Sequence, residues 1–328
     1  MTTRLTDIFK QESYLRIPSQ ERTTKNNIIN SPAVVGNAQA QEFLNLNMGV
    51  GTLYSWNLLD DKVEANYGND NPADTASVTK MSEGSQVARM IRKNKFIETT
   101  KLASAFGNKN VLSEGRRQIG AYRVGQDQTS MIRMLDGITA AGEANTTGSF
   151  IVDDGTSTLN QSLITKAAKK MGDNFGNMSL LVVTSAQYFD LFGTLPPSFD
   201  PRGDSQIRQY LGMTVIVNDE LPTVETGADT GIFRHRAYML TAGAVAYESS
   251  VYAAGITGDE KAANGEGVES LYERWKSCLH VDGVSWAGDT GADQSPTWAQ
   301  LADPSNYQLK HARKNIGIVG IDSYEDLN

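Results

Sequence analysis

One stretch limits the possible folds more than any other. From Asn110 to Ile138 the chain runs without a proline, and Ile119, Tyr122, Met131, Ile132, Leu135 and Ile138 recur at helical spacings. Arg116, Arg117 and Arg123 fall elsewhere on the same surface. The spacing predicts one helix of about 28 residues, spanning about 40 Å at ~1.5 Å per residue. Gly115, Gly120 and Gly125 weaken it locally, and Gly137 and Gly142, followed by GEANTTGS, are expected to end it. So long a helix in a chain of 328 residues reads as a spine on which other parts are hung.

The flanking segments differ in kind. Residues 1–42 are rich in Asn, Thr, Gln and Ser and read as an extended arm too polar to fold alone. Phe43, Leu44, Leu46, Met48, Val50, Leu53, Tyr54 and Trp56 then lead into an acidic turn region, GNDNPAD, which predicts a long β-hairpin or projecting loop over 43–85. RKNKFIETTKLASAFGN, with Phe96 and Ile97 at its centre, reads as a further extended segment. Beyond the spine, a compact α/β portion is expected. Ile164, Ala167, Ala168 and Met171 stripe one helix, and MSLLVVT reads as a buried strand. Thr184 and Gln187 form a capping box for a second helix, AQYFDLFG, expected to pack Tyr188, Phe189 and Phe192. Met213–Val217 and AYMLTAGAVAYESS each read as one strand, the acidic GITGDEKAANGEGVE as a loop, and KNIGIVGID as the last strand.

Charge is unevenly placed. The net charge of −8 argues against a dedicated nucleic-acid binder. Yet Arg89 to Arg123 holds nine basic and two acidic residues, and Asp60 to Asp74 five acidic and one basic. Separated blocks of opposite sign can steer copies of one chain into register. The catalytic inventory is thin. There are three histidines and one cysteine, Cys278, and no phosphate loop, dinucleotide turn, nucleophile elbow or zinc spacing. Cys278 and His280 lie among apolar neighbours and read as buried structural groups. Asp153-Asp154-Gly155 reads as a turn rather than a calcium loop, and Arg202-Gly203-Asp204 as an ordinary turn. No apolar run reaches the ~20 residues of a membrane span, and the N-terminus lacks the apolar core of a secretory signal; the expected setting is a cytoplasm, or a particle assembled in one.

The order of parts resembles the Hong Kong 97-type fold of tailed-bacteriophage major capsid proteins, and three stretches sharpen the likeness. LLVVTSAQYFDLF, SQIRQYLGMTVIVNDELP and AYMLTAGAVAY resemble that family's outer domain. RWKSCLHVDGVSWAG resembles its peripheral strand, and SPTWAQLADPSNYQLKHARKNIGIVGIDS its closing segment. The resemblance covers roughly residues 43–322 and is nearest to the major capsid protein 13-like subfamily. His280 is followed by Val281-Asp282 where relatives carry a proline, and Tyr307 stands where tryptophan is common.

The resemblance implies an α+β chain with an N-terminal arm (1–42), an extended loop (43–85), a peripheral domain (86–150) holding the spine helix at about 110–138, an axial domain (151–270), and peripheral return strands with the C-terminus (271–328). It implies a non-enzymatic shell subunit without cofactor or metal, assembling as hexamers and pentamers around double-stranded DNA. Scaffolding, portal and decoration proteins are the expected partners, no membrane is involved, and assembly is expected in the host bacterial cytoplasm before residence in the virion. Candidate intersubunit contacts are Asp60, Asp61 and Glu64 on the loop, Leu53, Tyr54 and Trp56 as its anchors, and Arg89, Arg92, Lys93, Lys95, Arg116 and Arg117 as the basic surface they meet. The acidic segments Gly255–Glu269 and Asn218–Asp229 are expected near the ring centres. An encapsulin-type compartment and a soluble α/β enzyme are the rival classes; co-purifying cargo would mark the first and a small discrete particle the second.

Overall fold

In a computed structural model the chain is described over residues 28–46, 50–56, 83–100, 111–144, 150–193, 209–225, 232–261, 267–288 and 295–326. The elements before the spine are β1 (Val34–Val35), α1 (Ala38–Asn45), β2 (Val50–Trp56) and β3 (Glu83–Thr100). The spine is α2 (Val111–Ala144), followed by β4 (Ile151–Val152), α3 (Gln161–Lys170), β5 (Met178–Val183) and α4 (Ser185–Gly193). Short strands β6 (Gln209–Tyr210), β7 (Met213–Val217) and β8 (Thr223–Glu225) precede the long β9 (Ile232–Thr241), β10 (Val245–Lys261) and β11 (Val268–Val281). The chain closes with β12 (Val284–Trp286), α5 (Trp298–Ala302), β13 (Tyr307–Leu309), α6 (Arg313–Ile316) and β14 (Ile318–Asp326).

Two larger sheets result. One has the order β1-β10-β11-β3-β2, the other β4-β14-β9-β5-β7-β6 with β8 on β9. In the second, β5 and β7 are parallel and α4 makes the crossover between them. Alternation sorts its residues by face. Leu180, Val182, Tyr238, Leu240 and Ile318 join the core around the spine. Leu181, Val183, Ala237, Met239 and Val319 pack instead with Leu163, Ile164 and Ala167 of α3 and with Tyr188 and Leu191 of α4. The Thr184–Gln187 capping box forms as expected: each backbone N–H donates to the other's side chain, at 3.0 and 3.3 Å.

The spine lies between the sheets and shares a core with both. Met131, Ile132, Leu135 and Ile138 pack with Ile91 and Leu279 from the first sheet and Leu180, Tyr238 and Leu240 from the second. Its first half is partly exposed, while from Asp127 onward almost every position is enclosed. Two buried hydroxyls on the spine are satisfied by the helix itself: Ser130 and Thr139 donate to the carbonyls of Gln126 and Leu135 at 2.8 and 2.9 Å.

Several expectations change. The helix runs past Ile138 to Ala144, because Gly137 and Gly142 do not break it. They are sites of close approach: a Cβ at Gly137 would strike the Leu301 carbonyl and lie 2.6 Å from the Tyr307 ring, and one at Gly142 would strike the ring of Phe150. Residues 28–42 are not an extended arm, since Ile28 and Ala33 are buried, β1 adds to the first sheet and α1 includes Phe43 and Leu44. AYMLTAGAVAY is two strands in different sheets, separated by a turn in which Gly243 takes φ +71°. Most of the expected acidic loop 255–269 is strand, with Gly258 opposite Leu271 and Lys261 opposite Val268, so it lies on the first sheet while Asn218 follows β7 of the second. The segments 151–270 and 271–328 each supply strands to both sheets.

Candidate assembly surface

Of the candidate contacts, Asp60, Asp61 and Glu64 lie outside the described residues. Leu53, Tyr54 and Trp56 sit on β2, opposite Gln86, Ser85 and Glu83 of β3. Leu53 is buried with Phe43, Leu44, Ala88 and Met90 of its own subunit, so it is an internal packing residue rather than a free anchor. Arg116 and Arg117 fall in the first turns of α2.

The basic residues of β3 divide by face. Strand periodicity turns Ile91, Lys93, Lys95 and Ile97 toward the spine. Lys93 Nζ donates to Gln126 O and Ser130 Oγ, each at 2.7 Å, and lies 5.4 Å from the Trp298 ring centroid. Burial lowers its pKa to about 8, against the opposing pull of the Asp127 carboxylate. Lys93 is therefore a tie between sheet and helix, and Arg89 is buried as well. Neither is a surface charge. Lys95 is exposed, its ammonium 5.0 Å from the Tyr122 ring centroid.

Arg92, Asn94 and Phe96 point to the opposite face, where their partners on β11 are Lys276, Arg274 and Tyr272. Residues directly opposite in an antiparallel pair share a face, so these six form one patch. Phe96 is 49% exposed, meets Tyr272 edge-on at 5.8 Å between centroids, and Arg274 places its guanidinium 4.3 Å from the Tyr272 centroid. At one end α1 covers the patch, and Lys276 Nζ donates to Leu44 O at 2.6 Å. The pKa of Lys276 is lowered, by burial first and by Arg92 second. Sequence reading missed Tyr272 and Arg274, although their i, i+2 spacing with Lys276 on a predicted strand places them on one face.

The polar clusters elsewhere hold backbone in place. His280 Nε2 donates to Gln86 Oε1 at 2.8 Å, the same oxygen accepts from Gly283 N–H at 2.9 Å, and Gln86 Nε2 donates to Asp282 Oδ1 at 2.8 Å. Burial drives the His280 pKa down to about 4, so the ring is neutral. Arg236 donates from Nε and Nη2 to Asp322 at 2.7 and 2.9 Å and from Nη1 to Asp136 at 2.8 Å. Asp153 and Asp154 accept from the N–H groups of Gly155 and Ser157, which makes the DDG segment a turn. Among the described residues no His, Cys, Asp and Glu are grouped so as to hold a metal, and no helix is long and apolar enough to cross a membrane.

A sequence model of the major capsid protein 13-like family matches residues 62–318. The chain belongs to that family. This capsid protein is a structural shell component of a phage. No curated protein matches it by sequence. In fold it is similar to a chain from Mycobacterium phage Che8 (TM-score 0.57, 12% identity, covering 95% of this chain and 97% of that one). It is also similar to the capsid of Ralstonia phage GP4 (TM-score 0.59, 9% identity, 98% of each). The capsid asymmetric unit of cyanophage Pam1 is a third such structure (TM-score 0.58, 9% identity, 98% and 96%). At these identities the likeness is one of fold, and it agrees with the α+β expectation. For a capsid subunit the functional site is a surface, and the patch around Phe96, Tyr272 and Arg274 is an exposed apolar feature rimmed by charge.

Proposed function

We propose that copies of this capsid protein assemble as hexamers and pentamers into a closed icosahedral shell around double-stranded DNA, with the segment between β2 and β3 reaching across a neighbouring subunit. In this reading the arm is confined to residues 1–27, ahead of the packed residues 28–42, and residues 43–85 are the extended loop. The first sheet with the spine serves as the peripheral body, to which 151–270 lends β10, and the second sheet serves as the core of the axial part, to which 271–328 lends β14. The observation that carries it is complementarity. The loop's Asp60–Asp74 stretch is acidic, and the open face of β3 and β11 presents Arg92 and Arg274 around the exposed Phe96 and the half-buried Tyr272. Exposed ion pairs contribute only ~0.2–1 kcal/mol each, so they set register. Apolar area around Phe96 and Tyr272, at ~25 cal/mol per Å2, supplies the adhesion.

The net charge of −8 suits a wall that does not hold packaged DNA tightly. Scaffolding, portal and decoration proteins are the partners such a shell calls for. The host cytoplasm is the place of assembly, and no catalytic step is assigned. Reversing Asp60, Asp61 and Glu64 to Lys is expected to lower the yield of shells seen by electron microscopy. Adding Arg92→Glu and Arg274→Glu is expected to restore part of it. Wild-type yields from the loop variant alone would sink the electrostatic docking.

A further inference from the structure

The second sheet ends in a two-residue hairpin that carries a costly residue at its tip. Tyr210 pairs with Met213 and Gln209 with Thr214, which leaves Leu211 and Gly212 as the turn. Both have positive φ, +51° and +82°. Two positive φ values are what a tight turn between twisted strands requires, and asparagine followed by glycine is the pair that meets it with least strain. Gly212 fits. Leu211 does not, since a leucine side chain crowds the backbone in the left-handed region, and Leu211 is the one described non-glycine residue found there.

The side chain does not recover this cost within its own subunit, because Leu211 is 61% exposed. A strained backbone holding an exposed apolar group points to a contact made outside the chain. Leu211 also has apolar company. Tyr210, next in sequence, meets Phe192 at 5.8 Å between ring centroids, Phe192 meets Tyr188 at 4.6 Å, and Tyr188 meets Phe189 at 5.7 Å. Phe189 is 70% exposed. Leu211 and Phe189 are thus the exposed apolar side chains of a ridge whose other members, Tyr210, Phe192 and Tyr188, are half-buried or buried. The ridge lies at the end of the second sheet, where the two-residue β6 is the last strand.

We propose that this ridge is a contact between copies of the chain, with Leu211 inserted as a knob into the next subunit of a capsomer ring. The inference rests on the shell reading above, and it names a surface on the second sheet, separate from the patch on the first. A ring is built from head-to-tail contacts, so the knob meets a different surface on its neighbour, and the occupant is a second copy of this protein.

The test uses the chemistry of the turn. Leu211→Gly removes the side chain and relieves the backbone, so unassembled Leu211→Gly subunits are expected to unfold at the wild-type temperature or about 2 °C above it. The same variant, expressed alone, is expected to associate into capsomers about tenfold to a hundredfold more weakly, the loss of one buried leucine at an interface. A second readout uses Leu211→Cys. The introduced thiol should react with a maleimide in dissociated subunits and be protected in shells, and the buried Cys278 gives no background in the native protein. Full assembly of Leu211→Gly, or equal labelling of Leu211→Cys in subunits and shells, overturns the knob while leaving the shell reading intact. A wild-type chain that never forms rings or shells removes the shell reading itself, and the knob with it.

Discussion

The two glycines late in the spine give a prediction whose sign separates two physical readings. A glycine inside a helix costs about 1 kcal/mol relative to alanine, so if Gly137 and Gly142 merely weaken α2, alanine at either position stabilises the protein by about that amount. The structure predicts the reverse. A Cβ on Gly142 would strike Phe150, with two ring atoms at 2.6 Å, and Phe150 is itself fully buried and cannot swing aside. A Cβ on Gly137 would meet the Leu301 backbone, which is no more able to yield. Overpacking of this kind costs about 1–3 kcal/mol, and contact with rigid neighbours belongs at the upper end. Subtracting the propensity gain leaves a net loss of about 2 kcal/mol for Gly142→Ala. Gly120 is the internal control: it is exposed on the same helix with no other group within 4 Å, so Gly120→Ala should gain about 1 kcal/mol. Urea unfolding of unassembled subunits, followed by tryptophan fluorescence, measures all three. If Gly137→Ala and Gly142→Ala move the midpoint upward as Gly120→Ala does, the close packing of α5 and Phe150 against the spine is refuted.

Two further outcomes follow from buried titratable groups. His280 has its pKa lowered from 6.5 to about 4, so its contribution is full above about pH 6.5 and is lost as pH falls toward 4, by up to about 3 kcal/mol; His280→Gln should flatten that part of the stability profile, and an unchanged slope would show that the acid sensitivity arises elsewhere. Burial pushes the Cys278 thiol up to about 12, with Glu248 adding to the shift, so native protein at pH 8 should not react with an aromatic disulfide until unfolded; prompt labelling of the folded chain would contradict the burial.

The parts of the fold that the sequence announced are those set by local pattern. The spine, the α3 stripe, the Thr184 capping box and the apolar run of β5 depend on spacings of three, four or two residues. The misread parts depend on what lies opposite. Gly137 and Gly142 look like breakers until Leu301 and Phe150 are placed beside them. Lys93 and Arg89 look like surface charges, yet in an alternating strand every second side chain turns toward α2, and only the pairing of β3 with β11 decides which. Tyr188 and Phe189 were both expected to pack, but neighbours on a helix point about 100° apart, so burying Tyr188 leaves Phe189 in solvent. The switch between sheets at Gly243 was hidden because small and apolar residues continue on both sides of it. For the assembly surface, the aromatic and basic residue types were visible in sequence. Their grouping across two strands, by pairs such as Phe96 with Tyr272 and Asn94 with Arg274, was not.

The spine also carries a polar code that explains how its register is held. Asp127 is fully buried and accepts from Tyr247 Oη, Trp275 Nε1 and Ser277 Oγ at 2.9, 3.3 and 3.2 Å, all from the first sheet. Asp136 accepts from Arg236 of the second sheet at 2.8 Å. The two acids are nine residues apart. At about 100° per residue that is two and a half turns, so they lie on opposite sides of the helix, as a rod between two sheets requires. Apolar packing alone tolerates sliding or rotation at small cost, whereas either motion here would leave a buried carboxylate facing no donor, a loss of several kcal/mol. Such groups add little net stability compared with leucine or methionine in the same place, but they exclude the alternatives. For a capsid subunit, which must fit against other copies, excluding misaligned forms matters more than the last increment of stability.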